Sequence, residues 1–216
     1  MYTYAYNNPL RFVDKNGMWP TAIHNQIIDA AFPNLTPDQR QILKDVSAQQ
    51  DRILGGGQGN TLAFQHAMSS PGQTTGQAEA QYNEFVQQNE DQATQAQVKF
   101  WLAGNSGLSK SALAKFAAAL HAILDSTSPA HAGFQTWDWR NPVLVRTHIL
   151  TESSITPGQL SNAALTAQGA FVSTFGFNPF DWLQLQTQQP TPQPAPPGKV
   201  TTSICYTRDD GTQSCQ

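Results

Sequence analysis

Charge is scarce in this chain. Lysine and arginine number 12 and aspartate and glutamate 15 in 216 residues, giving a formal net charge of −3. So thin a balance offers no basic footprint for duplex DNA or an anionic membrane, although bound metal cations would add positive charge that the count omits. No apolar run approaches a membrane span, and no charged-then-apolar leader is recognisable; the sequence reads as a soluble chain whose export would use another route. Cysteine occurs only at Cys205 and Cys215. A metal site elsewhere in the chain must therefore be built from imidazole and carboxylate.

Histidine is also sparse, with five in all, and its placement is informative. His121 and Asp125 lie one helical turn apart, as do His148 and Glu152, so each pair can offer two ligands to one metal without backbone distortion. His131 stands just beyond the first pair. A single such pair is more often a solvent-facing ion pair. Two pairs with a histidine between them, and His24 and His66 on apolar helical stretches where an unpaired imidazole is costly to bury, read as a multinuclear metal site. Oxygen and imidazole ligands without thiolate suit zinc in an open, hydrolytic site.

The rest of the pattern is helical. Pro20 fits a first turn, with Ile23, Ile27, Ala30 and Ala31 as an apolar stripe beside His24. Thr36-Pro37-Asp38-Gln39 is a capping-box start for a helix through Ile42, Leu43 and Val46 to Asp51. Gly55-Gly56-Gly57-Gln58-Gly59 then breaks the chain. It lacks the Lys-Ser/Thr ending of a phosphate loop, and no apolar strand precedes it, so it reads as a connection near a site. A short apolar stretch from Leu62 to Met68 carries His66. A long helix over residues 77–102 would bury Tyr82, Phe85, Val86, Ala93 and Ala96.

Ser109 caps a central helix whose Leu113, Phe116, Ala117, Leu120 and Leu124 face the core while His121 and Asp125 face the site. Pro129 ends that helix. Another begins near Pro142 with His148 and Glu152, and Thr156-Pro157-Gly158-Gln159 starts one more, ending about Phe175. The expected fold class is all-α, a bundle with ligands offered from facing helices. Residues 186–198 form a proline-rich spacer. Residues 199–216 read as a small β-hairpin around Asp209-Asp210-Gly211, with Cys205 opposite Cys215; an oxidising compartment would bond them, and two free thiols are the alternative.

Residues 1–18 differ in character from the helical stretch that begins at Trp19. Tyr4-Ala5-Tyr6-Asn7-Asn8-Pro9 and then Asp14-Lys15-Asn16-Gly17-Met18 resemble the end of the Rhs repeat-associated core, although Lys15 stands where that motif usually has proline. In that family a β-shell encloses a variable C-terminal toxin. The resemblance implies cleavage after Met18 with Asp14 taking part, and a main domain over residues 19–185.

From Trp19 to Glu152 the chain resembles the zinc-dependent phospholipase C and single-strand nuclease superfamily, a helical fold with three clustered zinc ions. Its hallmark is met by His121, Asp125, His131, His148 and Glu152. Asp51 and His66 match the upstream ligands and His24 the first family histidine; Asp45 lies near enough to compete with Asp51. The resemblance implies that Asp51, His66, His121 and Asp125 hold one zinc. Asp125 would bridge to a second, completed by His24 and the free amino group and carbonyl of Trp19, while His131, His148 and Glu152 would hold the third. Asp51 would be the catalytic residue, orienting or deprotonating the attacking water.

The activity so implied is phosphodiester hydrolysis by a secreted effector delivered into a target cell, acting at its periplasm or membrane and paired with a cognate immunity protein. Phe134, Trp137 and Trp139 would form an apolar lip for a phospholipid, stack the bases of a single-stranded nucleic acid, or simply close the core. The phospholipase reading is favoured. A reading of another class is a metal-stabilised module at an Rhs tip that binds a partner and performs no chemistry.

Overall fold

The helices begin where side chains cap them. Thr36, Thr74 and Thr156 each accept a hydrogen bond from the backbone N–H of the glutamine three residues on, while that glutamine's side chain accepts from the threonine's own N–H. Each reciprocal box satisfies two of the donors that a helix start leaves open. The computed structural model describes residues 21–51, 59–138, 140–152, 154–176, 205–207 and 213–215. Within them run α1 (Thr21–Ala31), α2 (Pro37–Gln50), a 3-10 turn (Asn60–His66), α3 (Thr75–Leu102) and α4 (Lys110–Ser126). A second 3-10 turn (Pro129–His131), α5 (Pro142–Glu152) and α6 (Pro157–Phe175) complete the helical elements among these residues. The described residues are thus mostly helical, as the periodicity predicts.

Differences from the expected pattern have local causes. The long helix starts at Thr75 because Thr74 caps it, and α2 stops at Gln50, leaving Asp51 as its C-cap. The apolar stretch around His66 forms a 3-10 turn, closed by Ala67 in the left-handed region at φ 53. On α1, Ile28 is buried and Ala30 is exposed; the larger side chain takes the core position because more apolar area leaves water. Of the positions expected to be buried on α3, Ala93 is buried, while Tyr82, Phe85, Val86 and Ala96 are half-buried.

α4 is the axis of the bundle. Ser109 caps it by accepting from the Ala112 N–H, and every residue from Ala119 to Asp125 is buried. A helix apolar nearly all round must be covered by its neighbours, and α2, α3 and α6 all pack against it. Phe116 lies edge-on to Phe171 of α6 at 5.5 Å between ring centroids, and Phe32 sits 5.4 Å from the same ring. Burying each such side chain contributes roughly 1.5–3 kcal/mol. Arg40 and Lys44 of α2 reach Asp29 of α1, fastening that edge.

The chain divides into two compact units, residues 1–186 and 187–216. In the second, strand β1 (Cys205–Thr207) pairs antiparallel with β2 (Gln213–Cys215), with Cys205 opposite Cys215. The spacer at 186–198 and the turn around Gly211 lie outside the described residues, as does most of the Gly55–Gly59 connection.

Candidate metal centre

Separate elements deliver the site. α1 brings His24, the C-cap of α2 brings Asp51, the first 3-10 turn ends on His66, α4 carries His121 and Asp125, and the second 3-10 turn ends on His131. α5 supplies His148 and Glu152 in its last turn. His24, His121, Asp125 and Glu152 are 0% exposed, His66 and His131 2%, and His148 7%. All five histidines of the chain are therefore buried beside three carboxylates.

These side chains form three groups that could each hold a metal ion: His24, Asp51 and His121; His66, His121 and Asp125; and His131, His148 and Glu152. Within each, the potential ligand atoms lie within 4.8 Å of one another. The first two share His121 and meet at Asp125, whose Oδ1 is 2.9 Å from His24 Nε2. Asp125 Oδ2 is 2.8 Å from His66 Nδ1 and 3.2 Å from His121 Nε2. Asp51 Oδ1 is 3.5 Å from His121 Nε2, and its Oδ2 accepts from Thr21 Oγ1 at 3.0 Å. Asp45, the sequence rival of Asp51, is exposed and accepts from Gln41. Asp51 thus groups with His24 as well as His121, whereas the family resemblance puts it with His66, His121 and Asp125.

In the third group, His131 Nδ1 donates to the backbone carbonyl of His66. That bond leaves Nε2 as the inward atom, 3.0 Å from Glu152 Oε1 and 3.2 Å from His148 Nε2. Oε1 also accepts from Ser128, whose hydroxyl caps the turn beneath, while Oε2 is buried without a hydrogen-bond partner. With its Nδ1 proton committed to that carbonyl, the ring could bridge only one of these neighbours, and only by taking a second proton at Nε2. A cation would satisfy the imidazole and carboxylate lone pairs together, and this ligand set fits one. His66 Nε2 is likewise buried without a hydrogen-bond partner, which costs on the order of 1–3 kcal/mol, while its Nδ1 faces Asp125 Oδ2 at 2.8 Å.

The same closeness shifts the ionisation of the groups. Burial disfavours an imidazolium at His24, but the Asp125 and Asp51 carboxylates outweigh it and raise the group to about 9. Burial takes His121 down to about 3, with the neighbouring His24 and His66 adding to it against the pull of Asp125. His148 also falls to about 3, through burial and the charge of His131. Burial raises Glu152, and it opposes a charged His131, which the Glu152 carboxylate nonetheless raises. Burial likewise opposes a charged Asp125, yet His121 and His24 hold it well below the usual carboxylate range. In the metal-free cluster one proton rests on His24, against Asp125.

Among the expected lip residues, Trp137 is 3% exposed, packed with Ala63 and Met68 and 5.6 Å from the His148 ring. It forms part of the wall behind the third group. Phe134 is half-buried at φ 54, edge-on to Tyr82 at 5.5 Å. Asp14, Met18, Trp19 and Trp139 lie outside the described residues. Sequence reasoning missed Ser47, Ser128 and the His66 carbonyl, which hold rings or a carboxylate of the three groups without belonging to them. A small polar residue in a helix has no periodic signature that would mark it. No family model matches the chain, and no curated protein or solved structure matches it.

Proposed function

We propose that this protein is a zinc-dependent phosphodiester hydrolase with three metal ions, one per group, and that phospholipid is its substrate. The observation that carries the reading is the convergence of five buried histidines and three carboxylates into groups that share His121 and meet at Asp125. Closed structural zinc sites commonly use cysteine and four fixed ligands. Here thiolate is missing from the groups, and Asp51 keeps 16% side-chain exposure, which gives the cluster an edge toward solvent. Zinc held at such a site neutralises charge on phosphate oxygens and makes water acidic enough to attack near neutral pH.

The protein's own residues have distinct tasks in this reading. Asp125 joins the first two groups, facing His24 with one oxygen and His66 and His121 with the other. Asp51, at the open edge, orients the attacking water and accepts its proton. The His66 carbonyl and Ser128 fix His131 and Glu152 for the third ion. Exposed Val143 and Leu144, at 71% and 40%, lie on the helix that carries His148 and Glu152, and with Phe134 they favour an apolar substrate over a nucleic acid. The Rhs-like residues 1–18 belong in this proposal to release of the domain as a delivered toxin, and Trp19, freed by cleavage, completes the site with His24. A cognate immunity protein in the producing cell follows from that role.

The test is a metal count followed by parallel assays on phosphatidylcholine, phosphatidylethanolamine and single-stranded DNA. Zinc at each group and release of a phosphorylated head group with diacylglycerol are expected. Nucleotide products alone would transfer the reading to a nuclease, and full zinc without turnover would favour the non-catalytic module.

A further inference from the structure

Ser47 lies one turn after Leu43 on the inner face of α2 and is 1% exposed. Its Oγ is 3.1 Å from Nδ1 of His24 and 3.0 Å from Nδ1 of His121. Two rings from two different helices therefore meet at one hydroxyl, and they stand edge-on to each other at 4.7 Å between centroids. Both turn the opposite nitrogen inward: His24 Nε2 faces Asp125 Oδ1 at 2.9 Å, and His121 Nε2 faces Asp125 Oδ2 at 3.2 Å.

A neutral imidazole carries its proton on one nitrogen and a lone pair on the other, and the hydrogen bond at one decides which is free for a metal. A hydroxyl oxygen has two acceptor lone pairs. Two Nδ1–H groups can both donate to it, and each ring then presents an Nε2 lone pair. Backbone carbonyls commonly perform this task one ring at a time, as the His66 carbonyl does for His131. At the first two groups a single oxygen does it for both rings.

We propose that Ser47 is a positioning residue that sets the tautomer and ring orientation of His24 and His121 together, so that both bind metal through Nε2. This inference rests on the proposed metal-site reading. Ser47 touches neither substrate nor ion; it acts through the two rings. The third group has its own supports in Ser128 and the His66 carbonyl, so the role of Ser47 is confined to the first two.

The experiment uses the full chain labelled with 15N-histidine, wild type and Ser47→Ala, with zinc affinities from chelator competition and long-range 1H–15N spectra to read which ring nitrogen carries the proton. Zinc-loaded wild type should show His24 and His121 protonated at Nδ1 and metal-bound at Nε2. In S47A, two zinc ions should bind about 10–100-fold more weakly while the third keeps its affinity. The metal-free variant should show a mixture of tautomers at His121, the neutral ring of the two. Unchanged affinities and tautomers in S47A would overturn the role of Ser47 and leave the metal reading standing. Weaker binding with unchanged tautomers, or equal losses at all three groups, would make Ser47 a packing residue and also overturn the proposal. Coordination of His24 or His121 through Nδ1 in the wild type would refute it without any variant. A wild-type chain that binds zinc at none of the groups would overturn the metal reading and this inference with it.

Discussion

Asp125→Asn removes one charge at nearly constant shape, at the point where the first two groups meet. In the metal-free protein the wild-type carboxylate is fully buried and accounts for most of the rise of His24 from 6.5 to about 9. That rise corresponds to on the order of 3 kcal/mol in favour of the protonated pair, and breaking a buried pair by removing one partner costs about 3–5 kcal/mol. With about 2–4 °C in melting temperature per kcal/mol for a protein of this size, metal-free D125N should melt roughly 10 °C below wild type. Because His24 is raised on folding, its contribution is fully present below 6.5 and fades as pH rises through about 9; the gap should be widest near pH 6 and narrow by pH 10. With zinc supplied, D125N should lose metal from the first two groups, keep the third ion and lose hydrolysis. Circular dichroism melts in chelator at both pH values and metal analysis of the loaded protein test this. An equal melting temperature, a gap independent of pH, or full metal content with activity would refute the reasoning.

His148→Ala should empty the third group and spare the other two, because its inward neighbours are His131 and Glu152; a zinc count of the variant checks it. Metal-free protein should lose stability as pH falls from 6.5 toward 3, since His121 and His148 are lowered to about 3 in the fold and take up protons more readily when unfolded. A urea midpoint that stays level across that window would contradict the buried, neutral state of both. Zinc loading near pH 7.5 should release the proton held by His24, so affinity should rise with pH up to about 9, as titration calorimetry in buffers of different ionisation enthalpy would measure. Removing the residues after Leu185 should leave zinc content unchanged; unfolding of the helical unit would show that the tail is needed for it.

The helix starts at Thr36 and Thr156 are readable directly, because a capping box is a local contract between residues three apart. The same signal is present at Thr74 and Gln77, where the polar run after it hides it. The ligand pairs on α4 and α5 are legible for a similar reason: helical period alone puts His121 over Asp125 and His148 over Glu152. The 3-10 turn at His66 is not legible, since a stretch of only seven residues does not separate that geometry from a short α-helix. Nor is the choice between Asp45 and Asp51, which depends on where α2 ends against α4. The contacts of Ser47 are wholly tertiary: they join residues on three helices, and nothing in the neighbourhood of Ser47 along the chain foretells them.

The sharing of α4 among the groups has a consequence for the order of synthesis. A ribosome exposes His24, Asp51 and His66 well before His121 and Asp125, and neither of the first two groups is whole until that helix has left the exit tunnel. The third group is written compactly between His131 and Glu152 and is completed last. Until that helix emerges, a nascent chain presents scattered imidazoles without a finished group, and the proposed capture of metal would be timed by translation itself.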